Sequence, residues 1–257
     1  MTRRPDEVSG FDRVPPKETH TESDAMNYRF PNPFRSPRSS TSAFTLIELL
    51  TVTAIIAVLS AAIFPGVRAS MRNAQMNAAM QNARQIANGL LNYANDYEGL
   101  FPGSFDPETD EEYSTSNEAF RLLIPEYIDT ERVFAVAGSA WGPLADGRIE
   151  EESERLEPGE NHWAYIAGLT NTSRSDWPLI VDGTDGNGTY ARLQTEKGGL
   201  WEGNKSIVVR VGGSAETVRL RGDEEARYLP RYGYPEENAL EIEAYMGDGP
   251  KLLDPAD

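Results

Sequence analysis

One carboxylate, Glu48, lies within an apolar run that carries no other charge between residues 44 and 67. A carboxylate inside a membrane helix costs about 2.5–3.5 kcal/mol on insertion scales, so it requires compensation. Glu48 therefore has either a positively charged partner or a position among the polar headgroups at the end of the span. The first alternative makes Glu48 a functional residue, and the second makes it an ordinary surface group.

A second set of potential ligands lies in the sequence VDGTDGNG, which contains Asp182, Asp185 and Asn187. Clustered oxygen ligands on a glycine-rich loop suit calcium, although the spacing here is not that of an EF-hand. Asp, Asn and Gly are also the ordinary residues of turns. The sequence thus favours a plain loop here, with a calcium site at these three residues as the alternative.

The chain offers few residues for catalysis. It contains no cysteine and two histidines, His20 and His162, which argues against thiolate or multi-histidine metal sites and cysteine nucleophiles. His162 is not accompanied by a nucleophile motif such as G-x-S-x-G. The glutamates between residues 150 and 160 are closely spaced like charges, which is typical of a solvated loop. We therefore predict that the protein is not an enzyme.

The overall charge is strongly negative. The chain has 41 acidic and 24 basic residues, for a net charge of −17. Sequence-independent nucleic-acid binding requires clustered Lys and Arg, so this balance argues against a nucleic-acid partner. It indicates a solvated acidic surface instead.

The apolar run at residues 44–67 is long enough to cross a membrane, since about 20 apolar residues span a hydrocarbon core of about 30 Å. Arginines precede it and a large acidic region follows it. The positive-inside rule then places the N-terminus in the cytoplasm and the C-terminal region across the membrane. Residues 1–43 read as an unstructured leader, and Met26 is a candidate true start.

The helix is predicted to continue well past the apolar run. One stripe of small and apolar residues recurs in steps of four and three: Met76, Met80, Ala83, Ala87, Leu90, Ala94 and Tyr97. This spacing predicts a single helix over residues 44–98, with an apolar half at 44–66 and an amphipathic half at 67–98. Gly99 and Pro102 supply the stop signal, and Pro65 with Gly66 predicts a bend within the helix.

The remaining residues, 99–257, read as a globular head. Short apolar segments bounded by turn residues predict a short helix over residues 117–128, broken near Pro125. They also predict strands at 163–169 and 178–181 and a hairpin of 206–211 with 216–220. The segment after Arg221 is rich in charge, Gly and Pro, which predicts an irregular acidic tail. The fold class is α+β, with a long N-terminal helix packed on a small antiparallel sheet.

The segment from Ala43 to Leu50 resembles the cleavage signal of type IV pilin-like proteins, and in particular of type II secretion pseudopilins. In that family a prepilin peptidase cuts before a Phe, and the fifth mature residue is Glu. With Phe44 as the first mature residue, Glu48 is the fifth and Pro65 is the twenty-second, where the family often has a kinking Pro. The residue before the cut is usually Gly, and here Ala43 occupies that position.

The resemblance implies a structural subunit whose partners are a prepilin peptidase, other pseudopilin subunits, an inner-membrane assembly platform and the membrane. It implies cleavage between Ala43 and Phe44, methylation of the new amine, and pairing of that amine with Glu48 of a neighbouring subunit. The expected location is the inner membrane, with the N-terminus cytoplasmic and the head periplasmic, followed by assembly into a pseudopilus. The alternatives are a subunit of a type IV or DNA-uptake pilus and a single-pass anchored periplasmic binding protein.

Overall fold

The computed structural model describes residues 44–142, 144–223 and 226–257. The chain divides into two units, Met1–Thr53 and Ala54–Asp257. The leader at residues 1–43, the candidate start at Met26 and the residue before the cut, Ala43, lie outside the described residues.

The first element, helix α1, extends from Leu46 to Asp96 over 51 residues. It begins at a reciprocal cap, because the Glu48 backbone N–H donates to Thr45 Oγ1 (3.2 Å) while the Thr45 N–H donates to the Glu48 carboxylate (2.9 Å). Such a capping box satisfies two of the N–H groups that the first turn of a helix leaves unpaired. The predicted helix therefore agrees with the observed one to within two residues at each end.

The second half of α1 packs against the head through one face. Its buried side chains are Met76, Ala79, Ala83, Ile86, Ala87, Leu90, Tyr93 and Ala94. This face contains most of the predicted stripe and is wider, since helical packing against a globular core covers more than two heptad positions. Tyr97, predicted in the stripe, is exposed and stacks on Tyr93, with ring centroids 4.1 Å apart.

The core of the head is a five-stranded antiparallel sheet. Its strands are β1 (Trp163–Ala167), β2 (Pro178–Asp182), β3 (Lys205–Arg210), β4 (Ala215–Arg219) and β9 (Lys251–Leu253). Their order across the sheet is β4-β3-β2-β1-β9. The central strands β1 and β2 are buried along their whole length, which explains their continuous apolar sequences. The α+β fold with a long N-terminal helix, predicted from the sequence, is confirmed.

The remaining elements are short. Two further strand pairs join β5 (Arg221–Gly222) to β6 (Arg227–Tyr228) and β7 (Pro230–Arg231) to β8 (Tyr234–Asn238). Two short α-helices, α2 (Ser116–Arg121) and α3 (Ile242–Met246), and two 3₁₀ turns, Glu131–Phe134 and Glu152–Glu154, complete the regular structure of the described residues. The observed helix is thus shorter than the one predicted at residues 117–128, and turns follow it as far as Tyr127.

The structure differs from the sequence prediction in the segment after Arg221. This segment contains β5 to β9, and β9 pairs with the central strand β1, with Tyr165 opposite Leu253. Leu253 is fully buried. Pairing across about 88 residues is set by tertiary contacts, so the local composition of charge, Gly and Pro gave no signal for it.

Candidate functional site

The N-terminal turn of α1 carries the residues with predicted roles in processing and assembly. Phe44 is 80% exposed and precedes the helix. The Glu48 carboxylate accepts hydrogen bonds from the Thr45 N–H (2.9 Å) and the Thr45 hydroxyl (2.8 Å), and its side chain is exposed. The acid therefore lies at the positive end of the helix dipole, where a negative charge is stabilised.

The first part of α1 presents apolar side chains that no described residue of the chain covers. The exposed members are Leu46, Ile47, Leu49, Leu50, Val52, Ile55, Ile56, Val58, Leu59, Ile63, Phe64 and Val67. The mean hydropathy of its most apolar stretch is 2.4, and α1 is long and apolar enough to cross a membrane. Apolar side chains exposed on all sides of a helix require an apolar environment from outside the chain.

Pro65 and Gly66 lie within α1, and the helix extends without interruption through both residues. A Pro inside a helix lacks the N–H that would bond four residues back. The bend expected near these residues stays a prediction.

The predicted calcium ligands make separate sets of contacts. Asp182 is buried, and its Oδ2 accepts hydrogen bonds from Trp201 Nε1 (2.9 Å) and the Ile207 N–H (2.7 Å). Asp185 instead closes a turn, accepting from the Asn187 N–H (2.9 Å) and from the N–H and hydroxyl of Thr189. These bonds account for the loop's conformation, and the calcium site at Asp182, Asp185 and Asn187 stays a prediction.

Burial changes the ionisation of Asp182. Removal from water raises the pKa of its carboxyl to about 7, although the bonds from Ile207 and Trp201 favour the ionised form. Its Oδ1 has no hydrogen-bond partner among the described residues. The side chain therefore titrates near neutral pH inside the sheet, where β2 ends.

His162 lies inside the head, and its surroundings are not those of a catalytic base. Its side chain is fully buried against Trp141, with ring centroids 4.6 Å apart. Burial lowers the pKa of the imidazole to about 4, so the ring is neutral at physiological pH. The ring packs on an aromatic side chain as a core residue does, and neither of its nitrogens has a hydrogen-bond partner among the described residues.

The structure brings together three carboxylates that the sequence analysis did not group. Oxygens of Glu131, Asp146 and Glu160 lie within 4.8 Å of one another. Glu131 accepts from the N–H groups of Gly147 (2.7 Å) and Leu156 (3.1 Å).

Glu160 is 4% exposed, contrary to the solvated loop expected for it, and accepts from the N–H groups of Asp146 (3.0 Å) and Glu157 (2.8 Å). Burial raises the pKa of its carboxyl, and the neighbouring acids raise it further. Loop backbone N–H groups thus compensate these buried acids. Glu131 is 29 residues from Glu160 along the chain, so their spacing carries no signal for the contact.

Comparison with known proteins adds one finding at the N-terminus. Residues 38–64 match the family model described as the prokaryotic N-terminal methylation motif. No curated protein and no solved structure matches the chain. The matched segment contains Phe44 and Glu48 and most of the exposed apolar stretch, which supports a type IV pilin-like subunit that is anchored in a membrane by a single span. The motif is shared by pilins and pseudopilins.

Proposed function

We propose that the protein is a pseudopilin, a structural subunit of a type II secretion-type pseudopilus, cut before Phe44 and assembled through α1. The observation that supports the proposal is the match of residues 38–64 to the methylation motif, a segment that includes Phe44, Glu48 and most of the uncovered apolar part of α1. Prepilin peptidase makes the cut and methylates the new amine. The protein is the substrate in this reaction and is not an enzyme.

Cleavage changes the electrostatics at the start of α1. It creates a positive amine at Phe44, beside the positive end of the helix dipole, where a cation is unfavourable. Glu48 of a neighbouring subunit supplies the compensating negative charge, and this pairing sets the register between subunits. A charge pair inside an apolar surrounding is strong, because little water screens it.

Assembly also needs a source of free energy for leaving the bilayer. The apolar side chains of α1 are exposed within the described chain, and in a filament the same side chains of several subunits cover one another. The helices therefore exchange lipid contacts for helix–helix contacts. Their apolar side chains stay out of water during extraction from the inner membrane, so little hydrophobic free energy is lost. The head, on the periplasmic side, forms the filament surface.

The test is the intact mass of the membrane-extracted chain, co-expressed with prepilin peptidase or with a catalytically inactive peptidase as the matched control. We expect the active enzyme alone to yield a chain that begins at Phe44 and carries one added methyl group. An uncut chain with the active enzyme would contradict the proposal and leave a single-pass anchored binding protein as the explanation.

A second candidate shares the same motif: a subunit of a type IV or DNA-uptake pilus. A pilus subunit differs from a pseudopilin in the membrane machinery that assembles it. The mature chain is co-expressed with a type II secretion platform or with a type IV pilus platform, and filaments are counted by electron microscopy. If filaments form only with the secretion platform, the result supports a pseudopilin. If they form only with the pilus platform, the result rejects a pseudopilin.

A further inference from the structure

A positively charged cleft lies where the head packs beside the first turns of α1 that follow the apolar stretch. Its volume is about 560 Å³, and its lining includes four cationic side chains: Arg72 of α1, Lys205 of β3, Arg219 of β4 and Arg227 of β6. Among the described residues, no acidic side chain lines the cleft. The chain as a whole has a net charge of −17, so four cations around one cavity make this part of the surface opposite in charge to the rest.

Two of these cations face each other across a strand pair. Lys205 and Arg219 are direct cross-strand partners in the β3–β4 ladder, and both are exposed. Like charges in directly opposite positions destabilise a sheet, because their Cβ atoms are only about 4.5–5.5 Å apart. In the described part of the chain no hydrogen bond or ion pair compensates either side chain, so an anion from outside the chain would relieve this repulsion.

The other two cations are held in place. The Arg72 guanidinium pairs with the Glu202 carboxylate through two hydrogen bonds of 2.7 and 2.8 Å, which ties α1 to the head beside the cleft. Arg227 Nη1 donates to the Gly222 carbonyl (3.2 Å), and its Nε has no partner among the described residues. Even with Glu202 counted, the charge around the cleft is positive.

The position of the cleft along α1 matches the edge of a bilayer. Val67 ends the apolar stretch, and Arg72 follows it by five residues, or about 7.5 Å at 1.5 Å per residue. The headgroup layer on each side of a bilayer is roughly 5–7 Å thick. A helix that spans the hydrocarbon up to Val67 therefore places Arg68 within the headgroup layer. It places Arg72, and the cleft beside it, at the outer edge of that layer, where the long cationic side chains reach the lipid phosphates.

We propose that this cleft binds the headgroup of an anionic phospholipid, of the phosphatidylglycerol type, in the leaflet from which the head emerges. The inference rests on the membrane span in the proposed function. The cleft cations attract the phosphate, and Asn73 and Asn204, which also line the cleft, offer amide groups to its oxygens. The rest of the acidic head is repelled by an anionic surface, so the cleft fixes which side of the head faces the bilayer.

The test uses the full chain in dodecyl maltoside, titrated with short-chain phosphatidylglycerol or, as the neutral control, short-chain phosphatidylcholine. Native mass spectrometry counts the bound lipids and gives an apparent Kd. The test variant is Lys205→Gln with Arg219→Gln. The matched control is Arg174→Gln with Lys251→Gln, which removes the same charge from side chains paired to Asp176 and Glu112 on other parts of the surface.

We expect the test variant to bind phosphatidylglycerol about 25-fold more weakly, since each cation near a membrane surface contributes about fivefold. The control variant should bind as the unaltered chain does, and phosphatidylcholine should bind weakly to all three. Thermal unfolding followed by circular dichroism checks that each variant is folded. If the double variant is unfolded, Arg219→Gln alone replaces it, with an expected loss of affinity of about fivefold.

Equal affinity of the test variant and the unaltered chain for phosphatidylglycerol would overturn the proposal. So would a loss of self-association in neutral lipid with lipid affinity unchanged, because the cleft would then hold an acidic segment of a second copy. Retention of each protein in pure phosphatidylcholine vesicles is measured in parallel. A chain that is not retained there contradicts the membrane span itself, and hence the proposed function, whereas a retained chain with unchanged lipid affinity contradicts the headgroup site alone.

Discussion

Glu48 has a local role in the structure and a second role in the proposed assembly, and the two can be separated. Its carboxylate caps the first turn of α1 through Thr45, which is a local function that needs an acceptor but no charge. Pairing with the Phe44 amine of a neighbouring subunit needs the negative charge. Gln can replace Glu in a capping box but cannot neutralise an amine, so a single substitution distinguishes the two roles.

We therefore predict that Glu48→Gln and Glu48→Val both reduce filament assembly to background, while both chains are still inserted and cut before Phe44. The measurement is the yield of sheared filaments, with the intact mass of the membrane fraction as the control for processing. Assembly of Glu48→Gln at the unaltered level would show that capping is sufficient and would reject the charge pair.

Asp182 supplies a prediction on pH. Its pKa is raised to about 7 in the folded head, above the ordinary value of 3.8 that applies to the unfolded chain. Between these values the folded state binds the extra proton, so this group's contribution to stability is present at low pH and is lost as the pH rises towards 7.

We expect Asp182→Asn to flatten that dependence, because Asn keeps an acceptor for Trp201 and Ile207 but does not titrate. The free energy of unfolding of the two proteins is compared between about pH 5 and about pH 8. The difference in stability between them should change with pH in this window. A constant difference would mean that Asp182 is ionised throughout the range.

Helix α1 has two parts with different surroundings. Up to Val67 its large apolar side chains are exposed, whereas from Met76 onward one face is buried against the head. Ala83 is fully buried on that face, and Ala78 is exposed on the opposite one. A small side chain at a fully buried position leaves no room for a larger one, so the packed half depends on its size.

Replacing Ala83 by Leu is predicted to destabilise the head by about 1–3 kcal/mol through overpacking. Ala78→Leu adds the same side chain on the exposed face and should change the stability by less than about 0.5 kcal/mol. Urea unfolding of the full chain in detergent, followed by tryptophan fluorescence, measures both. Equal stabilities for the two variants would mean that α1 does not pack against the head through Ala83.

The whole chain combines a long apolar segment with an acidic head, and each requires a different environment. The apolar side chains of α1 need lipid or other helices, and the net charge of −17 favours water around the head. Membrane anchoring follows from the first requirement and depends on residues near the centre of the span, such as Leu59.

Leu59→Arg is predicted to impair membrane insertion, since Arg at the centre of a span costs about 2.5–3.5 kcal/mol. Asn77→Arg introduces the same charge into the amphipathic half, on its exposed side, and should be neutral. The measurement is the fraction of protein that stays with membranes after alkaline extraction. Equal retention of the two variants would contradict a single span at residues 44–67.

Much of the fold could be predicted from the sequence because its signals are local. The length of the apolar run, the offset between Phe44 and Glu48 and the periodicity of α1 are all properties of neighbouring residues. The hairpin of β3 and β4 is also local: Gly213, at φ +80°, allows the turn in which its N–H donates to the Arg210 carbonyl. For these elements the expected and observed bounds agree closely.

Tertiary structure alone decided the contacts between distant parts of the chain. Three of these contacts join residues that are tens of positions apart or more. They are the pairing of β9 with β1, the burial of Glu160 beside Glu131, and the cluster of cations around Arg72. A strand as short as β9 gains its stability from the neighbour it pairs with, and a buried acid gains its own from the loop N–H groups that fold around it. These partners are fixed by the folded core, so no local pattern of residue types could specify them.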